Sequence, residues 1–323
     1  MKKRVFLALI VTFLLFSGEV FANGEKEYPN QNINVIVQYS AGGGTDLSVR
    51  GVLDAAKETL PSGTNFAVSN VTGGAGLIGL NQVVTSPSDG YTLGVLNTDL
   101  VINYCLGRTK ISVEDFEPIA CALIDPFVLI AAADAPYTTF EEFIEYAKAH
   151  PNEIVIGETG MGAAPSLAVL AIEQFFDVKF KTVSYGGSAD CVTAIVGGHI
   201  NATIAQTVNA ASQVQAGNLR FLASMSEERL STYPDVPTMK ESYADIDFFM
   251  PGFCIISAKA DVDPAKVEYL RNVLRPAIDS DAFQKTLKTM GMQTINMDGA
   301  ETKAFLADQL KLYSKLCKDI SVK

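Results

Sequence analysis

Tryptophan is absent from this 323-residue chain, histidine occurs twice and cysteine five times. His150 and His199 lie far apart, each beside a residue that interrupts helices, Pro151 or Gly198. A histidine metal site or a Ser-His-Asp triad therefore has little to draw on. Cys105, Cys121, Cys191, Cys254 and Cys317 form no CxxC pair, which excludes a zinc ribbon or a thioredoxin-like motif. An odd count leaves at least one free thiol. The expectation is buried free cysteines serving as small apolar residues, with one bridging pair left open. Positive charge is scarce too: 25 Lys and Arg face 36 Asp and Glu, a formal net charge of −11. Such a surface argues against nucleic acid and anionic membranes as partners. No GxxxxGK[ST], GxSxG, HExxH or EF-hand loop occurs; Gly186-Gly187-Ser188-Ala189-Asp190 comes near the nucleophile elbow but has no histidine to serve it. A carboxylate pair for glycoside hydrolysis stays open, although the lack of tryptophan argues against a sugar cleft.

What is present is a globular composition, 48% hydrophobic with 25 glycines, in a chain long enough for about two domains. Lys2, Lys3 and Arg4, an apolar run over residues 5–16, and small residues at Val20 and Ala22 read as an export signal over residues 1–22. No later segment approaches the length of a membrane span. The expected product is exported, periplasmic and soluble.

Beyond the signal, a theme recurs: an apolar run, a glycine-rich turn, then a helical pattern. Strands are expected over 33–39, 65–70, 91–96, 126–131, 154–157, 179–185, 200–206 and 219–223. Helices are expected over 47–60, up to Phe176, up to Val196, from Asp263-Pro264, and over 302–318; Gly291 closes another. Thr139 with Glu142 has capping-box spacing. Strands alternating with helices imply an α/β fold with mostly parallel sheets. No long linker separates two halves, so the chain crosses between lobes more than once.

Four turns share one layout: residues 41–46, 73–76, 159–163 and 186–188 each follow a strand and open a helix. Open α/β sheets bind ligands there, and the unpaired N–H groups of a helix start favour an anion. Thr45, Thr159 and Ser188 add hydroxyl donors. None of the four carries Lys or Arg, so a carboxylate suits them better than a polyphosphate. Read singly, each glycine turn does no more than close a strand-to-helix connection; four together suggest a cleft between lobes. Gly74-Ala75-Gly76-Leu77-Ile78-Gly79 also mimics a dinucleotide fingerprint, with Asp99 as its distal acid. A helix of only about ten residues before Ser86-Pro87, and the four residues between strand and motif, argue against that.

The ordered set of segments resembles the substrate-binding receptors of tripartite tricarboxylate transporters, the Bug family. The segments are Tyr28-Pro29, IVQYSAGGGTD (36–46) with Arg50, NVTGGAGLIG (70–79), SDGYTLGVLNT (88–98), GETGMGAAPSLA (157–168), VSYGGSADCVTAIVGGHI (183–200) and RFLASMSEERLSTYPDVPTMKE (220–241). The resemblance spans essentially the whole chain after the export signal. It implies a two-lobed periplasmic-binding-protein fold of type II, with residues 28–125 and 250–323 in the first lobe and 126–249 in the second. It implies a receptor, not an enzyme, that clamps a small organic carboxylate without a cofactor or metal. The ligand passes to a membrane permease of large and small subunits; the receptor itself is a monomer. By motif position the ligand residues are Tyr39, Ser40, Gly43, Gly44, Thr45 and Asp46, then Asn97 and Thr98. From the other lobe come Thr159, Gly162, Ala163, Ser166, Tyr185, Gln206 and Thr207. Asp46 either orients its loop or accepts from a ligand ammonium. The chain departs from the family at Gln38, often proline, and Ser166, often histidine. It also lacks the frequent arginine near Val71, the lysine at Gly186 and the aromatic near Pro251, which leaves few cations for the ligand. A receptor that presents its ligand to a membrane kinase, and an exported α/β enzyme, remain the alternatives.

Overall fold

Apolar strands of four to nine residues assemble into two five-stranded sheets in this computed structural model, which describes residues 27–246 and 249–319. The expected export signal lies outside the described residues. The first sheet holds β1 (Ile33–Val37), β2 (Phe66–Asn70), β3 (Thr92–Asn97), β4 (Phe116–Ile124) and β10 (Phe253–Lys259), in the order β2-β1-β3-β10-β4. The second holds β5 (Phe127–Ala132), β6 (Val155–Glu158), β7 (Lys181–Ser184), β8 (Ala202–Gln206) and β9 (Leu219–Ser224), in the order β7-β6-β8-β5-β9. The two lobes thus repeat one topology.

The sheets are mixed, not mostly parallel. β10 runs antiparallel to β3 and β4, and β5 runs antiparallel to β8 and β9. The reason is the crossing. β5 and β10 each begin where the chain arrives from the other lobe, so they start at the cleft edge where β3, β6 and β8 end. β4 and β10 were not among the expected strands. Pro118 argues against a strand, yet β4 lies at the sheet edge, where a missing N–H does no harm.

Helix boundaries follow their local signals. Thr139 Oγ1 accepts from Glu142 N at the start of α4 (Phe140–Ala149), while the Glu142 carboxylate reaches Thr138 N instead of closing the box on Thr139. Asp263 caps α9 (Pro264–Ile278), and Gly291, at φ +66°, ends α10 (Asp281–Met290). The last helix, α11 (Gly299–Asp319), starts three residues before its expected position. All five cysteines are free. Cys121, Cys191 and Cys254 are buried; the Cys105 and Cys317 thiols are half-buried and hydrogen-bonded to each other. Among the described residues no helix is long and apolar enough to cross a membrane.

The two crossings run side by side. Asp125 N donates to Gly252 O at 2.9 Å and Phe127 N to Met250 O at 3.2 Å. A Cβ on Gly252 would stand 2.5 Å from Asp125 O and 2.6 Å from Gln206 Nε2, so only glycine fits between the strands. Asp125 is buried, and its Oδ2 accepts from Thr207 N at 3.0 Å and Thr207 Oγ1 at 2.9 Å. Burial pushes this carboxyl up to about 7, against the opposing pull of the Thr207 and Val208 hydrogen bonds. An apolar cluster continuous between the lobes includes Leu100, Phe253 and Tyr313 from one and Phe127, Phe140 and Leu167 from the other.

Asp125→Ala leaves the Thr207 donors buried without a partner and should lower the unfolding free energy by about 1–3 kcal/mol per donor, as read by urea denaturation. A carboxyl raised on folding takes up a proton in the folded state, so its contribution to stability falls as pH rises from about 4 to 7. Asp125→Asn should lack that slope in denaturation midpoints measured across this range; an unchanged slope would remove Asp125 as its source.

Candidate functional site

Three of the four glycine-rich turns, 41–46, 159–163 and 186–188, meet at one place with the helix start after β3, while the 73–76 turn lines an adjoining chamber. α1 (Gly44–Ala56) follows β1, α3 (Thr98–Cys105) follows β3, α5 (Ala164–Phe176) follows β6 and α6 (Ser188–Val196) follows β7. Their first turns face each other across the gap between the sheets and enclose a chamber of about 40 Å³. Tyr39, Gly43, Gly44, Thr45, Asn97, Thr98 and Asp99 line it from the first sheet; Thr159, Pro165, Ser188, Gln206 and Asn209 line it from the second. Phe127, Phe253 and Cys254 form its apolar floor at the crossings.

Helix starts carry N–H groups with no intrahelical partner. α1 and α5 have no side-chain cap of their own, at Gly43 or Ala163. Each is capped from the opposite lobe instead. Gly44 N donates to Asn209 Oδ1 at 2.8 Å, and Ala164 N donates to Asp99 Oδ1 at 2.7 Å. Ser40 Oγ donates to Asp190 Oδ2 at 2.6 Å, and Asn103 Nδ2 donates to Gly162 O at 2.9 Å. The lobes are therefore closed upon each other. A Cβ on Gly44 would lie 2.7 Å from Val208 Cγ1, so this approach requires a residue without a side chain.

Among the described residues no Lys or Arg lines the inner chamber. Its positive potential comes from backbone N–H groups and helix dipoles. Among the described residues the one carboxylate there is Asp99, buried and hydrogen-bonded to Tyr39 Oη and Ala164 N. Burial pushes Asp99 up to about 6, with both hydrogen bonds opposing; burial, and then the adjacent Asp99, push the Tyr39 phenol well up. Tyr313 and Cys254, the other titratable groups near Asp99, are likewise raised by burial and are neutral.

A second chamber of about 260 Å³ adjoins the first through Tyr39 and Thr159. Gln38, the 72–76 loop, Arg108, Gly160, Met161 and the 184–186 turn line it. A larger groove, about 620 Å³, lies on the second lobe beside Ala132–Pro136 and Gly198–Asn201; no basic side chain among the described residues lines it.

Of the residues marked in the sequence, Tyr39, Gly43, Gly44, Thr45, Asn97, Thr98, Thr159 and Gln206 line the inner chamber, and Tyr185 lines the outer one. Asp46, Ser40, Gly162, Ala163, Ser166 and Thr207 line neither. Asp46 is buried and accepts from Gly42 N, Arg50 Nε and Asn70 Nδ2, so it orients its loop and is turned from the ligand space. Ser40 and Gly162 hold the lobes together. Ser166 donates to Gly160 O within its own loop, and Thr207 is bound to Asp125. Sequence reading missed Asn209 and Arg108, which carry no local motif, and took Asp99 only as the acid of a false fingerprint. The signal for Asp99 was available: Asn97 caps α3 through Leu100 N, which places Asp99 in its first turn.

The family model described as the tripartite tricarboxylate transporter family receptor matches residues 49–322. A UPF0065 protein from the gbd 5′ region of Cupriavidus necator is 29% identical over 88% of this chain and 86% of its own length. The structure of the periplasmic binding protein BugD is 26% identical with a TM-score of 0.84, covering 92% of this chain and 99% of that one. A TctC solute-binding protein from Polaromonas is 32% identical with a TM-score of 0.64, covering 90% and 99%. The family match, the relatives and the two-lobed fold agree: the chain belongs to the tripartite tricarboxylate transporter receptor family.

Proposed function

We propose that this receptor is exported to the periplasm, closes its lobes on a small organic carboxylate and hands it to a membrane permease of large and small subunits. The observation that carries the reading is the convergence of four helix starts, two from each lobe, on one small chamber that no described Lys or Arg lines. Carboxylate oxygens would take the first-turn N–H groups of α1 and α6 and the hydroxyls of Thr45, Thr98 and Ser188. The receptor does no chemistry in this reading; Ser188 lines the chamber but no histidine does. It acts as a monomer whose lobe boundaries fall near the crossings, at 125/126 and 249/250.

Thermal unfolding against di- and tricarboxylates, amino acids and aromatic acids tests this. A ligand at 100 times its Kd should add about 2.7 kcal/mol of stability. No shift with any acid, on protein refolded free of co-purified ligand, would sink the carboxylate reading. Gly44→Val, which drives a side chain into Val208 and holds the lobes apart, should weaken binding by about tenfold or more, as read by calorimetry.

Asp99 sets the pH response. Ionised above about 6, it repels a ligand carboxylate in the same chamber. Binding of an acid without an ammonium group should therefore tighten as pH falls from 7.5 to about 5.5, and Asp99→Asn should abolish the trend. An amino acid whose ammonium pairs with Asp99 would show the opposite slope. Calorimetric titrations at several pH values separate the two.

A further inference from the structure

We propose that Cys105 and Cys317 close a disulfide that fastens the C-terminal helix α11 to α3, the helix that presents Thr98 and Asp99 to the inner chamber. The carboxylate reading of that chamber is not needed for it. Export, part of the proposed function, supplies the oxidising compartment in which such bonds persist.

Along the chain the pairing of five cysteines is open; the fold favours one pair. Cys121 and Cys254 sit on neighbouring strands, but Cys254 stands opposite Leu123 and Cys121 opposite Ile255. Their thiols enter separate apolar cores, where Cys254 Sγ donates to Thr45 Oγ1 at 3.3 Å and Cys121 Sγ to Leu123 O at 3.6 Å. Cys191 lies buried in a third core, in the second lobe. Cys105 and Cys317 are the two half-buried thiols, and they are hydrogen-bonded to each other. Closing the bond brings such a pair of sulfurs to about 2 Å, a movement for rotation about the two Cα–Cβ bonds.

The surroundings also suit the chemistry. The hydrogen bond from Cys317 pulls the Cys105 thiol down to about 6, with burial opposing and the Ser314 hydroxyl, 3.3 Å away, adding to the pull. Burial holds Cys121, Cys191 and Cys254 protonated. The Cys105 thiolate attacks one sulfur of a small disulfide such as oxidised glutathione and expels the other as a thiol. Cys317 then gives up its proton and attacks Cys105 Sγ, expelling the second thiol. Two protons and two electrons pass from the protein to the oxidant.

The bond bears on the cleft through α11. Tyr313, four residues before Cys317 and so on the same helix face, is buried and donates from Oη to Pro251 O at 2.9 Å. Thr98 Oγ1 donates to the same carbonyl at 3.2 Å. Thus α11 meets α3 at both ends, with Tyr313 beside its first turn and Ser314 and Cys317 at its last. That first turn holds Asp99, which caps Ala164 N of the other lobe. The loop closed between Cys105 and Cys317 takes in the whole second sheet, so the bond restrains the unfolded chain strongly.

The test equilibrates the full chain, purified in reductant, with oxidised glutathione. The protein is then unfolded in guanidinium and its thiols are counted by alkylation and mass spectrometry. Of the five thiols three should remain, with one linked peptide pair carrying Cys105 and Cys317. Cys105→Ala and Cys317→Ala should each keep four. Reduction should lower the melting temperature of the unsubstituted chain by about 5 °C or more and leave that of either variant unchanged. Five thiols, glutathione adducts in place of the link, a bond through Cys121, Cys191 or Cys254, or a melting temperature indifferent to reduction overturns the inference. Purified protein makes the outcome independent of export, which fractionation of cells expressing the chain tests by itself.

Discussion

Reciprocal capping across the cleft is the constraint on which the closed form depends. Two of the helices that begin without caps of their own find an acceptor on the other lobe: Gly44 N on Asn209, Ala164 N on Asp99. A helix start that is unsatisfied in the open protein and satisfied in the closed one couples closure to hydrogen bonding. It also makes closure sensitive to any oxygen-bearing anion that reaches the same N–H groups. The glycines of the turns matter here because they let one lobe's backbone come within contact distance of the other's side chains, as Gly44 does against Val208.

That geometry needs both lobes to approach along a defined path. The paired crossings supply it. Asp125 to Gly252 and Phe127 to Met250 join the two connecting segments as a short ribbon, and the Asp125 carboxylate ties this ribbon to Thr207 at the end of β8. The apolar cluster around it contains side chains from both sheets, so the hinge is packed and not a free linker. Two raised carboxyl groups, Asp99 and Asp125, lie in this region for the same reason: closure and packing remove water from them faster than their hydrogen bonds compensate.

Much of this was legible along the chain. The four glycine-rich turns stand where strand signals end and helical periodicity begins, and each opens a helix. Caps at Thr139, Asp263 and Gly291 were readable because each acts within a few residues. β4 and β10 were not, since Pro118 weakens the first and the pairing of the second depends on segments more than a hundred residues away. Asp46 illustrates the limit at the site. It sits in the right loop, but its partners Asn70 and Arg50 decide that it braces that loop and lines neither chamber.

The sequence by itself determined the class of fold and the places where glycine-rich turns open helices, because these follow from local periodicity and composition. Tertiary structure alone decided which acceptors answer those helix starts, that Asp99 and not Asp46 lines the inner chamber, and that Arg108, hydrogen-bonded to Asn103, lines the adjoining one. Those outcomes depend on contacts between segments from different lobes, Asp99 with Ala164 and Gly44 with Asn209. No local pattern encodes a distance that is set only when the two lobes close.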